Sequence, residues 1–200
     1  MHTNTQSNTR KLVVTAMLAA VASVLMYLEF SVPVMPGFIK LDISELPALL
    51  ATFSLGPVAG VAVCLIKNLL HLFQTTTGGV GELANFLLGA SFVLPAGLIY
   101  RKMKSRKGAL IGSVVGALIM AVVCVPLNYY VTYTFYTLFM PMEGIIAAYR
   151  AILPIVDNLI ECLIVFNMPF TFVKGLLNVL IAFLIYKPLS PILHGKHSAK

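Results

Sequence analysis

Polar side chains are scarce in this chain, and most of those able to do chemistry fall inside apolar stretches. Lys67 and Asn68 lie in PVAGVAVCLIKNLLHLF (57–73). Glu82 and Asn85 open the stretch 82–100, and Asn128, Tyr129, Tyr130 and Tyr133 close the stretch 108–133. Thr171, Lys174 and Asn178 open the stretch 168–187. A charge or amide in such surroundings needs a partner, supplied by a neighbouring helix or by a ligand. Amides present donors and acceptors together, and a lysine presents three donors. Amides, a lysine and aromatic rings converging from separate segments suit a small-molecule pocket.

Taken singly, each has a plainer reading beside the ligand one. Asn85 and Asn128 can bond neighbouring helices, Lys174 can extend its stem towards water, and Lys67 can pair with Glu82 or Asp42. The stretch GFIKLDISELPALL (37–50) adds Lys40, Asp42 and Glu45. Asp42 followed by Glu45 matches a capping box, so these two are read as helix capping and loop solvation rather than ligand contact. Lys40 has no capping role. The absences also decide something. There is no G-x-x-x-x-G-K-[ST] to cradle ATP, and no G-x-S-x-G or H-E-x-x-H. The chain is not expected to be an enzyme, and uphill transport would need energy from another protein or an ion gradient. Cys64, Cys124 and Cys162 have no paired spacing and read as small apolar packing residues. The histidines form no ligand constellation, so neither a cofactor nor a metal site is expected.

Composition sets the elements that must position these groups. The 200 residues are 59% hydrophobic and 10% charged, against about 25% charged in a soluble domain. The reading is a single integral membrane domain over 1–200. The net charge of +7 lies in short basic blocks between apolar stretches, at 10–11, 101–107 and 187–200. That pattern reports orientation in the bilayer and argues against nucleic acid. Span one covers about 12–30 and is long enough to be an uncleaved helix rather than a signal-peptide core. Pro33, Pro36 and Gly37 make 31–41 a loop.

Residues 42–74 form either one long helix or two short ones broken at Gly56-Pro57. The break places Arg10, Lys11, the 101–107 block and the Lys-rich end on one side, as the positive-inside rule requires. Residues 74–81 are an outer loop, and spans follow at 82–100, 108–133 and 168–187. The prediction is an all-α, six-transmembrane-helix bundle with cytoplasmic tails at 1–11 and 188–200. Residues 137–167 are read as one or two short helices over the outer face, capping the pocket, with a seventh span as the alternative. Small residues recur at every fourth position at Ala16 and Ala20, at Gly56 and Gly60, and at Gly108, Gly112 and Gly116. This spacing lets helix backbones approach closely. Ala16 and Ala20 are candidates for contacting a separate membrane subunit.

Several ordered motifs carry a resemblance: KLDISELPALL (40–50), GPVAG (56–60), KNLL (67–70), ANFLLGASF (84–92), LNY (127–129) and PFTFVKG (169–175). Over about 10–188 the chain resembles the substrate-binding S component of energy-coupling factor vitamin transporters, most closely the riboflavin-specific type. The resemblance implies riboflavin as transported ligand, bound near the outer face. It also implies a transmembrane coupling subunit and two cytoplasmic ATPases as partners, in a bacterial plasma membrane. Flavin contacts carry over to Asn128, Lys174 and the loop near Leu41, with Asn85 beside them; Tyr129 and Thr171 are further candidates by their own chemistry, and some relatives would have Asn at 171. Phe86, Phe92, Phe170 and Tyr129 either face the flavin ring or pack the bundle. Without the resemblance, a self-sufficient ion-coupled transporter, an S component for another vitamin and a ligand-free membrane protein all remain open.

Overall fold

A computed structural model describes residues 2–194, with side chains described over 8–186. Helix α1 spans His2–Tyr27, and a small antiparallel hairpin follows, β1 (Phe30–Ser31) against β2 (Lys40–Leu41), with Phe30 opposite Leu41. Next come α2 (Glu45–Leu55), α3 (Pro57–His71) with a 3-10 turn at Leu72–Gln74, α4 (Val80–Lys102) and α5 (Arg106–Leu127). Helix α5 continues through a π-turn, Asn128–Thr132, into α6 (Tyr133–Tyr136). Helix α7 (Met142–Arg150) is a separate short helix. Helix α8 (Leu159–Cys162) passes through a second π-turn, Leu163–Asn167, into α9 (Met168–His194). Among the described residues, five helical runs are long and apolar enough to cross a membrane: Asn8–Tyr27, Pro57–Gln74, Val80–Lys102, Arg106–Tyr136 and Leu159–Tyr186. Helix α2 is a shorter apolar helix.

The break between α2 and α3 falls where the sequence places it. Gly56 adopts φ of 113°, a conformation an L side chain rarely takes. Pro57 follows at the first position of α3, where a missing N–H costs nothing. Helix α2 is buried along Glu45–Phe53 and packs against α1, α3, α4 and α9. A helix apolar on all sides belongs in the centre of a bundle, which is where α2 lies despite its short length.

Glycines set how closely the helices meet. A Cβ on Gly112 of α5 would lie 2.7 Å from the Ala96 carbonyl of α4, and one on Gly175 of α9 would lie 2.8 Å from Ala117 Cβ of α5. Gly60 of α3 leaves no room for a methyl group beside Thr52 of α2. These small-residue positions therefore pack the chain on itself. Ala16 and Ala20 differ: both are exposed on α1, whereas Ala19 and Ala22 on its other face are buried.

Three expectations need correction. Span one ends at Tyr27 rather than at about 30, and its helix begins at His2, within the residues expected as a tail. The loop 31–41 carries the β2 strand. Residues 159–167 do not lie apart over an outer face, because they extend the last helical run upstream of 168; only α7 is a separate short helix, and 137–158 contains no run long enough to span. The tail 188–200 is helical through His194, and its residues 195–200, like residue 1, lie outside the described part.

Two apolar clusters result. The larger centres on α2, with Leu46, Leu49, Val63, Phe92 and Met120 buried in it. The second ties Met35, Tyr133, Ile145, Tyr149, Leu159 and Phe166 together at the end opposite the basic turn between α4 and α5. Introducing bulk where α4 and α5 touch is expected to strain the larger cluster. Gly112→Val should cost about 1–3 kcal/mol, read as a lowered thermal midpoint of the purified protein; an unchanged midpoint would show that the two backbones are not in close contact.

Candidate ligand-binding site

The site is built around the start of α2. Asp42 folds back on its own loop, accepting from Ser44 N at 2.8 Å and from the Ser44 hydroxyl. Its second oxygen meets Lys174 Nζ of α9 at 2.7 Å. Glu45, one position into α2, meets Lys67 Nζ of α3 at 2.6 Å through Oε1. Glu45 Oε2 lies 3.6 Å from Lys174, within ion-pair range but beyond a hydrogen bond. Lys67 also donates to the Ser44 hydroxyl. Asp42, Glu45 and Lys67 are 5%, 1% and 0% exposed, so two cations and two carboxylates neutralise one another inside the bundle.

This overturns the reading of Asp42 and Glu45 as a solvated capping box. Ser44, not Asp42, precedes the helix, and it makes no side-chain cap bond. Both carboxylates are used to hold lysines from other helices. Lys67 pairs directly with neither Glu82 nor Asp42, and Lys174 turns inward to Asp42 instead of extending to water. Glu82 instead receives a contact from His71 Nδ1 at 3.0 Å and one from the Thr75 hydroxyl at 2.9 Å. Burial pushes the Asp42 carboxyl up. The charges of Lys174 and Lys67, with hydrogen bonds from Lys174 and Ser44, outweigh it and hold the group below the usual carboxylate range. With its folded value lowered, the stabilisation Asp42 contributes is present above the ordinary carboxylate value and is lost only as pH falls through the lowered one.

Beside this network lies a cavity of about 160 Å³. The start of α4 supplies Ala84, Asn85 and Leu88, and the far end of α5 with its π-turn supplies Met120, Cys124, Asn128 and Thr132. The start of α9 supplies Phe170, Thr171 and Lys174, and the loop before β2 supplies Phe38 and Ile39, with Lys40 from β2 itself. Four of the sequence-derived candidates, Asn85, Asn128, Thr171 and Lys174, thus line one space. Leu41 does not, although Ile39 and Lys40 beside it do. Tyr129 is 40% exposed and stacks edge-on against Tyr130 outside the cavity. Of the aromatics considered for a ring face, Phe170 reaches the cavity, Phe92 is fully buried in the core and Phe86 packs against that core.

Contacts between lining residues orient them. Cys124 Sγ accepts from Asn128 Nδ2 at 3.0 Å and from Thr171 Oγ1 at 3.2 Å. Tyr133, Tyr149 and Asn167 close a ring. Tyr149 donates to Asn167 Oδ1 at 2.6 Å, Asn167 Nδ2 donates to the Tyr133 oxygen at 3.3 Å, and the two phenols bond each other. Burial, reinforced by Tyr133, pushes the Tyr149 phenol up and keeps it neutral. Through this ring α7 is tied to the ends of α5 and α9. Lys40 pairs with Glu29 at 2.6 Å in an exposed setting, where such pairs contribute little.

The arrangement has counterparts in known proteins. Residues 10–186 match the family model described as "ECF transporter, substrate-specific component". The chain belongs to the substrate-specific (S) components of ECF transporters. A protein named "Riboflavin transporter RibU" from Staphylococcus aureus (strain TCH60) is 37% identical to it over 190 residues, covering 95% of each chain. "Riboflavin transporter FmnP" from Bacillus subtilis (strain 168) is 34% identical over 194 residues, covering 95% of this chain and 97% of the relative. The solved structure described as "Structure and mechanism of the S component of a bacterial ECF transporter" superposes with a TM-score of 0.73 at 35% identity, covering 93% of this chain and 98% of that one. As an S component the chain is a multi-pass membrane protein of a transporter, not an enzyme.

Sequence reading of this S component missed Cys124, Thr132 and Asn167 as lining residues and missed the pairing of both carboxylates. Asn167 had a signal, an amide inside IVFN just ahead of the last span; Cys124 had none beyond its position four residues before Asn128. The buried pairs make a testable point. Lys67→Met leaves Glu45 with a damaged partner set and should cost about 3–5 kcal/mol. Adding Glu45→Gln should recover part of that, measured by thermal unfolding in detergent. A double variant as unstable as the sum of the singles would show that the pair does not interact.

Proposed function

We propose that this S component binds riboflavin from outside the cell and delivers it inwards as the capture subunit of an ATP-driven importer. The observation that carries this is the cavity itself, where amides from α4 and the first π-turn face one space with a hydroxyl and an ammonium from α9, beside apolar and aromatic walls. An isoalloxazine ring is flat and largely apolar, with donors and acceptors along its pyrimidine edge. Asn128 and Asn85 offer both kinds of group, and Lys174 offers donors. Phe170 and Phe38 offer ring contacts worth about 0.5–1.5 kcal/mol beyond burial. The names of the relatives favour riboflavin over other vitamins.

The proposed topology is six spans with both termini cytoplasmic, α2 serving as the short central one. In that orientation the exposed basic run Arg101–Lys107 faces the cytoplasm and the cavity opens outwards. A cavity of about 160 Å³ is below the roughly 300–1,000 Å³ of ordinary small-molecule pockets. Admitting the vitamin therefore requires displacement of the loop carrying Phe38 and Ile39, which then closes over it with α7 nearby. Ala16 and Ala20, exposed on α1, are proposed to face the transmembrane coupling subunit, which works with two cytoplasmic ATPases.

Equilibrium dialysis of the purified protein with riboflavin tests the first step, and submicromolar binding is expected; none would defeat the reading. Lys174→Ala and Asn128→Ala should each weaken binding at least tenfold, and normal binding by both would displace the assigned pocket. Ala16→Trp is expected to leave binding intact and to stop uptake in cells; unchanged uptake would remove this face of α1 from the partner interface.

A further inference from the structure

Cys124 lies in the last turn of α5, 1% exposed, and its sulfur is the meeting point of two cavity-lining side chains from different helices. Asn128 reaches back one turn to donate Nδ2–H to Sγ at 3.0 Å, and Thr171 of α9 donates its hydroxyl proton to the same sulfur at 3.2 Å. We propose that Cys124 is a positioning residue for flavin recognition: its sulfur takes up one donor from Asn128 and the donor of Thr171, so that both present acceptors to the ligand. This rests on the riboflavin reading above and extends it to a residue that fixes hydrogen-bond polarity.

The chemistry follows from counting donors. An Asn side chain has a carbonyl on one arm and an NH2 on the other, and a half-turn about its last torsion exchanges them at little steric cost. In an apolar cavity nothing but a hydrogen bond selects one arrangement. Sulfur is a weak acceptor, but here it is an acceptor available to the NH2 arm, so Oδ1 is left for the cavity. Thr171 has a single hydroxyl proton; once given to sulfur, only its lone pairs remain. Lys174, three positions further along α9, supplies donors from the same wall. The cavity is thereby polarised, with acceptors at Asn128 and Thr171 and a donor at Lys174.

That polarity matches a pyrimidinedione edge, in which one imide N–H sits between two carbonyl oxygens. The imide proton of riboflavin goes to Asn128 Oδ1, and a flanking carbonyl takes a donor from Lys174. An independent observation points the same way. Thr132 Oγ1, one turn beyond Asn128, is buried, lines the cavity and has no hydrogen-bond partner among the described residues. A buried hydroxyl left open beside oriented neighbours is a further place for a ligand to satisfy.

The test uses riboflavin and 3-methylriboflavin, which lacks the imide proton, titrated into the purified full-length protein by quenching of flavin fluorescence. Wild type should prefer riboflavin. Cys124→Ala removes the acceptor and is expected to weaken riboflavin binding about three- to tenfold, and to narrow the preference over the methylated ligand. Cys124→Ser, close to Ala in size but with an oxygen acceptor, should recover most of both. In an Asn128→Ala background, adding Cys124→Ala should cost less than it does in wild type, because only the Thr171 contact is then left to lose. If Ala and Ser variants bind alike with an unchanged preference, the sulfur only fills space and the proposal is overturned. Should the Ala variant not purify, Cys124→Val supplies the same contrast with Cys124→Ser. A wild-type protein that binds neither flavin would instead defeat the riboflavin reading, and this proposal with it.

Discussion

Four charged groups enclosed in an apolar bundle are the constraint on which the rest of this structure depends. Asp42, Glu45, Lys67 and Lys174 come from the loop before α2, from α2 itself, from α3 and from α9. Each would be prohibitively costly alone in such surroundings. Each is tolerable only when the others arrive at the right height along their helices. The network therefore fixes register. It sets the depth at which α2 sits, pins the start of α9 against it, and so holds one wall of the cavity. The glycine contacts along α3, α5 and α9 serve the same end from below, by letting the backbones come close enough for short side chains to meet.

The consequence for the cavity is a division between a fixed floor and a softer roof. The floor is made of groups committed to one another: Lys174 to Asp42, Asn128 and Thr171 to Cys124. The roof is a loop between two residue-pair strands, with Phe38 resting edge-on against Tyr133, Tyr136 and Tyr149. Those ring contacts are apolar and non-covalent, which suits the loop displacement proposed for ligand entry. The phenol–amide ring of Tyr133, Tyr149 and Asn167 fixes what the loop rests against.

How much of this was legible in the sequence depended on whether the signal was local. The breaks at Gly56-Pro57 and around 103–105 could be read directly, because backbone sterics and basic blocks are local properties. The gathering of Asn85, Asn128, Thr171 and Lys174 could be read as polar groups in the same half of their spans. The partners of Asp42 and Glu45 could not. The spacing D-x-x-E satisfies a capping rule, and nothing in it reports that Lys174 lies 132 positions away in sequence and 2.7 Å away in space. Tyr129 illustrates the reverse error. Its neighbours Asn128 and Thr132 face inwards, but along a helix adjacent residues point in directions about 100° apart, and Tyr129 is turned out. The extension of the last helix to Leu159 was masked by the charges and prolines of 137–167, which read as short separate helices; Asn158 in fact caps the start of the last run, accepting from Glu161 N at 3.0 Å.

Both long runs that bear the cavity, the one ending at Tyr136 and the one beginning at Leu159, carry a π-turn at the same end of the bundle, at Asn128–Thr132 and Leu163–Asn167. Such a turn holds one residue more than an ordinary helical turn, so the segment above it is rotated by about 100° relative to the segment below. The segment beyond each wide turn can thus face its side chains independently of the bundle proper. Tyr133 and Tyr136, beyond the first turn, meet the cavity from a direction of their own, while Cys124, Thr171 and Lys174 stay with the glycine-packed helices.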